Sequence, residues 1–366
     1  MKNNIEKIIL WGTGKIGEII LSHISDFGDI CEIVAVVDSD SNKRGKNIFS
    51  FTVQQPSILT EINFDKIIVS SSKYFEEIKM QIQQQFHKED DLIEDVTYFA
   101  KEKLLLRYKN TEDKEIKEIM EYLKSNKLEV FNYPFAQKYK ELSAKVEYDE
   151  KADLYYVWHR DKRLYMSRRF DSEEKVLAYY RSILLEQDEK SPHKYMDKDF
   201  RVNVGDVVLD IGVAEGNFSL EVVDKVSKLY IVETDEGWIE ALKYTFKDYL
   251  NKITFIPKFA TDHTEGQMIA LDDVITEEVN FIKMDIEGEE VNALKGLKGT
   301  IDNSPNVKCA ICAYHNDNDE MLIREYARQL GMKSSVTKGY MYFPVGDKQI
   351  YQSPVLRRGI VRMRKG

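Results

Sequence analysis

The side chains best suited to chemistry fall at the ends of short apolar runs in the C-terminal half of the chain. Asp210, Gly212, Glu215, Gly216 and Asn217 follow or close Val207-Val-Leu, Glu233 closes Leu229-Tyr-Ile-Val, and Asp262 closes a run that starts at Ile253. Asp285 and Glu287 end a fourth run, Val279-Asn-Phe-Ile-Lys-Met. Each acid stands where a buried strand gives way to a loop, the edge at which open α/β sheets bind ligands. The first turn lacks the Gly-Lys-Ser/Thr ending of a phosphate loop and carries two carboxylates, so a cationic or hydroxyl-rich ligand suits it better than a phosphate. S-adenosylmethionine meets both demands through its sulfonium, its α-amino group and its ribose diol. Glu233 is the expected partner of the diol, and Asp210, Gly212, Glu215, Gly216, Asn217, Asp262 and Asp285 complete the expected cofactor site.

Methyl transfer from a sulfonium is an in-line displacement, so alignment supplies much of its acceleration; an alcohol acceptor must also lose a proton. His315 follows the apolar run Lys308–Tyr314 and is the expected base, on the edge shared with Asp285 and Glu287. These two acids would orient His315, bind acceptor hydroxyls or share a divalent ion with it, and metal dependence is left open. Structural roles compete. Asp285 could cap a helix over 288–296, and Asp317 and Asp319 could cap one over 320–330.

The elements that must position these groups are legible as pattern. Val207–Leu209 reads as a central parallel strand, the glycines as a tight turn, and Phe218 onward as a helix. Further strands end at Glu233, Asp262, Asp285 and Tyr314, and 334–343 with 355–363 reads as a closing hairpin. From Glu186 onward the chain resembles FkbM-type S-adenosylmethionine-dependent methyltransferases. The resemblance rests on Asp210-Ile-Gly-Val-Ala-Glu-Gly216, Leu271-Asp-Asp273, Phe281-Ile-Lys-Met-Asp-Ile-Glu-Gly-Glu-Glu-Val-Asn-Ala-Leu-Lys-Gly296 and Tyr314-His315. It implies a class I, Rossmann-like α/β fold of seven strands, methyl transfer to oxygen, and decoration of sugars or polyketides. Pro354–Arg362 departs from the last strand common in the family.

The N-terminal stretch carries a second glycine turn. Gly12-x-Gly14-x-x-Gly17 follows the strand Lys7–Trp11, and a second strand ends in Asp38, the spacing of a dinucleotide fingerprint. A separate doubly wound, Rossmann-like domain is expected over 1–105, resembling small domains of nucleotide-sugar-handling proteins. A dinucleotide or nucleotide sugar could bind there; alternatively the turn serves only a scaffold or dimerisation domain. Residues 106–200 are expected to form a mostly helical connector, with an amphipathic helix within 112–125, and 201–366 the methyltransferase domain. The aromatics at 155–158, 165 and 179–180 suit either sugar stacking or core packing. The polar loop 186–195 could fold over the cofactor, with His193 touching cofactor or acceptor.

The 366 residues carry a net charge of −10, which argues against nucleic acid as a partner. No apolar stretch reaches the roughly 20 residues a membrane span needs, so a cytoplasmic protein is expected, whether monomer or homodimer. Three cysteines indicate no disulfide framework, and Cys309 and Cys312 read as buried thiols. The expected activity is O-methylation of a hydroxyl on a small-molecule or glycan acceptor: a sugar, nucleotide sugar or glycolipid of surface-polysaccharide biosynthesis. Two alternatives stand beside it. One is an NAD- or nucleotide-sugar-dependent oxidoreductase or epimerase in the first domain, although 70–110 holds no Tyr-x-x-x-Lys pair. The other is a non-catalytic ligand sensor or scaffold.

Overall fold

The structure, a computed structural model, describes residues 5–344 and 354–365. The chain forms two compact units that divide at Asn132/Tyr133.

The first unit contains β1 (Glu6–Trp11), α1 (Lys15–Ser22), β2 (Cys31–Val37), β3 (Asn47–Ile48), β4 (Phe51–Gln54), β5 (Lys66–Val69), α2 (Phe75–Phe86), β6 (Ile93–Asp95), α3 (Thr97–Arg107) and α4 (Lys114–Leu123). Its sheet runs β3-β4-β2-β1-β5-β6. Only the β3–β4 pair is antiparallel. This is a doubly wound arrangement, built on strands such as β1 whose last four residues are all buried. The amphipathic helix read within 112–125 is α4. Asp113 accepts from the N–H groups of Glu115 and Ile116, and Ile116, Ile119, Met120 and Leu123 are buried at helical spacing.

The second unit begins with α5 (Gln137–Lys140), β7 (Val146–Asp149), β8 (Leu154–His159), β9 (Lys162–Tyr165) and α6 (Glu173–Glu186). The mostly helical connector expected over 106–200 is therefore divided between the units and includes a three-stranded antiparallel sheet. Tyr155, Tyr156 and Trp158 are strand residues. The ring centroids of Tyr156 and Tyr165 lie 5.2 Å apart across paired strands, a cross-strand contact of the kind that stabilises sheets. Then follow β10 (Val207–Ile211), α7 (Asn217–Val222), β11 (Lys228–Val232), α8 (Glu236–Thr245), β12 (Ile253–Ile256), β13 (Phe259–Ala260), β14 (Met268–Ile269) and β15 (Phe281–Met284). The unit closes with α9 (Glu290–Lys295), α10 (Lys298–Asp302), β16 (Lys308–Cys312), α11 (Asp319–Gln329), β17 (Lys333–Val336), β18 (Met341–Tyr342), β19 (Leu356–Arg357) and β20 (Ile360–Arg364).

Seven of these strands form one sheet in the order β12-β11-β10-β15-β16-β20-β17. The first five are parallel, and β20 enters antiparallel between β16 and β17. The segment that departs from the family's usual last strand thus still supplies β20. Strand order reverses between β10 and β15, which opens a crevice at their carboxyl ends. Cys309 and Cys312 are buried, free thiols on β16. Among the described residues no helix is long and apolar enough to cross a membrane.

Candidate active site

A cleft of about 1040 Å³ lies along the carboxyl ends of β10, β11 and β15 and is walled by residues from α6 onward. The turn after β10 forms its floor. Gly212 has φ +72° and approaches β15 so closely that a Cβ would stand 1.8 Å from the Asp285 carbonyl; Gly216 has φ +85° and packs on Leu242. Both glycines are thus demanded by the fold itself, whatever binds above them. Two non-glycine residues at this edge also adopt left-handed backbone, Ala214 (φ 48°) and Glu287 (φ 58°). Such conformations cost on the order of 1–3 kcal/mol and cluster at functional sites.

Glu233 lines the cleft at the end of β11. Its carboxylate accepts from Ala214 N–H (2.8 Å), Thr234 N–H (2.7 Å) and Asp235 N–H (2.8 Å), which ties the glycine turn to the neighbouring strand. Glu215 accepts from the Tyr179 hydroxyl at 2.7 Å, and its own acidity is weakened by burial. Asn217 and Asp262 also line the cleft, with Asp262 held 2.8 Å from His263.

Asp210, expected among the cofactor ligands, is corrected. It is 0% exposed and lies beneath the turn, where it accepts from Ser219 Oγ at 2.6 Å and pairs with Lys283 Nζ at 3.2 Å. Lys283 is the residue sequence reasoning missed. It is a lysine on a central strand whose four side chains are all buried, and its ammonium also donates to the Gly212 carbonyl and lies 5.2 Å from the Tyr195 ring centroid. A buried ammonium is tolerable only with such partners. The signal was present in the alternating acid and lysine of neighbouring strands, but pairing Asp210 with Lys283 requires the β10–β15 register.

Asp285 gathers the far half of the site. Its Oδ2 accepts from the Tyr195 hydroxyl and its Oδ1 from the Tyr314 hydroxyl, each at 3.0 Å. His193 Nε2 stands 3.6 Å from Oδ2 and His315 Nε2 3.4 Å from Oδ1. Burial alone would raise its pKa; His193, Lys283 and His315 outweigh burial and hold the carboxyl well below the usual range. It caps no helix. Asp317 instead pairs with Arg357, while Asp319 accepts from the Asn316 N–H at 2.6 Å.

His315, the expected base, lies behind Asp285. Its side chain is 4% exposed, and its two ring nitrogens face different carboxylates: Nδ1 lies 3.0 Å from Glu290, and Nε2 faces Asp285, with Glu287 at 3.8 Å. The Glu290 contact lies off the hydrogen-bond line and is an ion pair rather than an aligned hydrogen bond. Burial opposes protonation, but Glu290, Asp285 and Glu287 prevail and raise the imidazole pKa. With the ring buried, both nitrogens turned to carboxylates and Asp285 between it and the cleft, His315 is not among the residues that line the cavity. Donor atoms of Asp285, Glu290 and His315 lie within 4.8 Å of one another, as do those of His193, Asp285 and Cys312. In the first group His315 presents different nitrogens to its two carboxylates, an arrangement made for ion pairs more than for one shared metal.

The loop expected to fold over the cofactor is fixed in place. Pro192 O accepts from Thr337 Oγ1, Lys194 O accepts from Arg362 at 2.9 Å, and Asp197 pairs with the same arginine. Tyr195 is thereby set in the wall of the cleft, with His193 buried behind it.

In the first unit, Gly12 has φ +107°, and a Cβ on Gly17 would lie 2.3 Å from the Gly12 carbonyl, whereas a Cβ on Gly14 would meet nothing within 4 Å. Asp38 is engaged internally. It accepts from Thr13 N–H at 2.8 Å and from Thr13 Oγ1, and it pairs with Lys43 at 3.0 Å. Burial would raise its pKa, but these bonds lower it. The fingerprint acid therefore braces its own turn, which is a reason for Asp38 that needs no ribose.

The second unit is thus an α/β domain with its cleft at a topological switch point, floored by a glycine turn and rimmed by acids. The profile of the methyltransferase FkbM domain matches residues 150–333, half of the chain, and the chain belongs to that methyltransferase family. Residues 4–93 match a second family, described as C2185-like, N-terminal. No curated protein matches the chain. Among solved structures, a methyltransferase FkbM from Methylobacillus flagellatus KT is 16% identical, with 99% of this chain and 91% of that chain covered and a TM-score of 0.44. A precorrin-6y C5,15-methyltransferase from Geobacter metallireducens GS-15 is 13% identical, covering 45% and 84%, with a TM-score of 0.33. A candidate methyltransferase from Streptococcus mutans in complex with SAH is also 13% identical, covering 45% and 91%, with a TM-score of 0.32.

Proposed function

We propose that the second unit transfers a methyl group from S-adenosylmethionine to a hydroxyl oxygen of a neutral sugar or similar polyol, as in surface-polysaccharide synthesis. The observation that carries this reading is the composition of the cleft: eight carboxylates and two lysines line one cavity of about 1040 Å³. That volume suits a nucleoside cofactor and a small acceptor together. Its donor set suits the cofactor, because Glu233, Glu215 and Asp262 match a ribose diol and an ammonium. The same excess of negative charge disfavours a phosphate near the reacting centre, so among sugar acceptors an uncharged hydroxyl-bearing ring fits better than a nucleotide sugar.

When bound, S-adenosylmethionine supplies an electrophilic methyl group. The chain's own residues do the rest. Glu233 and the turn it holds fix the cofactor end, Tyr195 and Tyr314 stand at the acceptor end, and Asp285 orients both phenols. The first test is mass spectrometry of nucleosides released from the purified protein, followed by transfer of labelled methyl to free hexoses and 6-deoxyhexoses. Bound adenosylhomocysteine and a methyl ether on a sugar are expected. A protein that binds no S-adenosylmethionine would refute the proposal.

A further inference from the structure

We infer that Glu186, the last residue of α6, is the catalytic proton acceptor of this cleft, and that His193 behind it is its positioning residue. The inference rests on the methyl-transfer reading above. It begins from what each cleft carboxylate is already doing. Glu215, Glu233, Asp235, Asp262, Asp285 and Glu289 each accept a hydrogen bond from Tyr179, backbone N–H groups, Trp238 N–H, His263, the two tyrosines and Asn292 respectively. Glu287 is 88% exposed on the outer lip. Glu186 alone lines the cleft half-buried and accepts no hydrogen bond among the described residues, and His193 Nδ1 stands 3.9 Å from its carboxylate. It lines the same cleft as Tyr195, Asp285 and Tyr314.

His193 links Glu186 to that cluster. Its other nitrogen lies 3.2 Å from the Tyr314 hydroxyl and 3.6 Å from Asp285, and the loop that carries it is tied down at Pro192 and Lys194. The charged and titratable groups around Glu186 are Tyr179 on its own helix, His193 and Tyr195 from this loop, Glu215 from the glycine turn, Lys283 on β15, Asp285 just after it, and Tyr314 beyond β16. Burial, with Glu215 and Asp285, pushes the Glu186 carboxyl up to about 7 against the pull of His193 and Lys283. A base poised near neutrality is the most effective kind at neutral pH. The acceptor O–H proton passes to the Glu186 carboxylate as the new O–CH₃ bond forms. The sulfonium C–S bond breaks with its electron pair remaining on sulfur, so charge and atoms balance.

The test uses the full chain, labelled S-adenosylmethionine and the same panel of hexoses and 6-deoxyhexoses. Glu186→Gln should keep the dissociation constant for S-adenosylmethionine within about threefold while turnover falls roughly 10²–10⁴-fold, the range of a positioned general base. The rise of kcat/KM through neutral pH should disappear. Infrared difference spectra of wild type minus Glu186→Gln, without acceptor, should show a protonated carboxyl that titrates near pH 7. His193→Gln should move the rising limb to higher pH, since His193 pulls the Glu186 pKa down; a purely structural role would leave the limb in place. Glu186→Asp should restore part of the turnover, which separates loss of the base from loss of folding. A Glu186→Gln protein with full turnover and an intact limb, or an infrared titration without the carboxyl, overturns the assignment of Glu186 alone. Wild-type protein that binds no S-adenosylmethionine, or methylates no sugar in the panel, overturns the functional reading and this inference with it.

Discussion

Replacing Gly212 by alanine tests the close crossing on which the cleft is built. Gly205 provides the control, because it shares the left-handed backbone (φ +85°) but a Cβ there would meet nothing within 4 Å. For both residues an L side chain in this region costs roughly 1–2 kcal/mol, of which about 0.4–1 kcal/mol is recovered through the stiffer unfolded chain. About 1 kcal/mol of destabilisation remains for Gly205→Ala. At Gly212 the new Cβ would also stand 1.8 Å from the Asp285 carbonyl, and overpacking of that kind adds about 1–3 kcal/mol. The sum is about 2–4 kcal/mol, and at roughly 2–4 °C per kcal/mol for a unit of this size, Gly205→Ala should melt about 2–4 °C below wild type and Gly212→Ala about 4–16 °C below. Scanning calorimetry that resolves the transition of the second unit reads both. Because β15 must shift to admit the methyl group, Asp285 moves with it, and Gly212→Ala should also lose S-adenosylmethionine binding that Gly205→Ala retains. Equal melting temperatures for the two variants would refute the reasoning.

Three further outcomes follow from the site. Glu233→Ala should weaken S-adenosylmethionine binding by roughly 1.5–3 kcal/mol in calorimetry, through lost charge-assisted bonds; an unchanged affinity in a folded variant removes Glu233 from the cofactor site. For His315, burial opposes its charge but three carboxylates raise its pKa above 6.5, so its contribution to stability is complete below that value and is lost as pH rises through the folded pKa. Denaturant midpoints should therefore fall more steeply over that range in wild type than in His315→Gln, and parallel curves would contradict the ion-pair role. Gly14→Val meets no atom within 4 Å at its Cβ and should leave S-adenosylmethionine affinity unchanged, whereas a large loss would show that the first unit takes part in cofactor binding.

The elements were legible where one residue pattern has one physical solution. Val207-Val-Leu before a glycine turn reads as a buried strand entering a helix, which β10 and α7 are, and the acids at strand ends lie at the edge where the cleft opens. Roles that depend on register were not legible. Asp210 looks like Glu233 in the sequence, yet strand alternation sends it under the turn toward Lys283. His315 looked free because Glu290 is close to it only once α9 has formed beside β16. The sheet of β7–β9 was missed because its aromatic residues fit a helical interface as well as a pleated one.

The tethered loop between α6 and β10 has a consequence in time as well as in space. Thr337 and Arg362 hold it through the carbonyls of Pro192 and Lys194 and the carboxylate of Asp197, so lifting the loop from the sheet would have to break all three ties together. The exposed ring of Phe259 and thioether of Met268 line the cleft where it opens to solvent without any such movement. Those ties would have to be broken and remade in every catalytic cycle if this wall were to serve as a lid, a cost that a freely hinged loop does not carry.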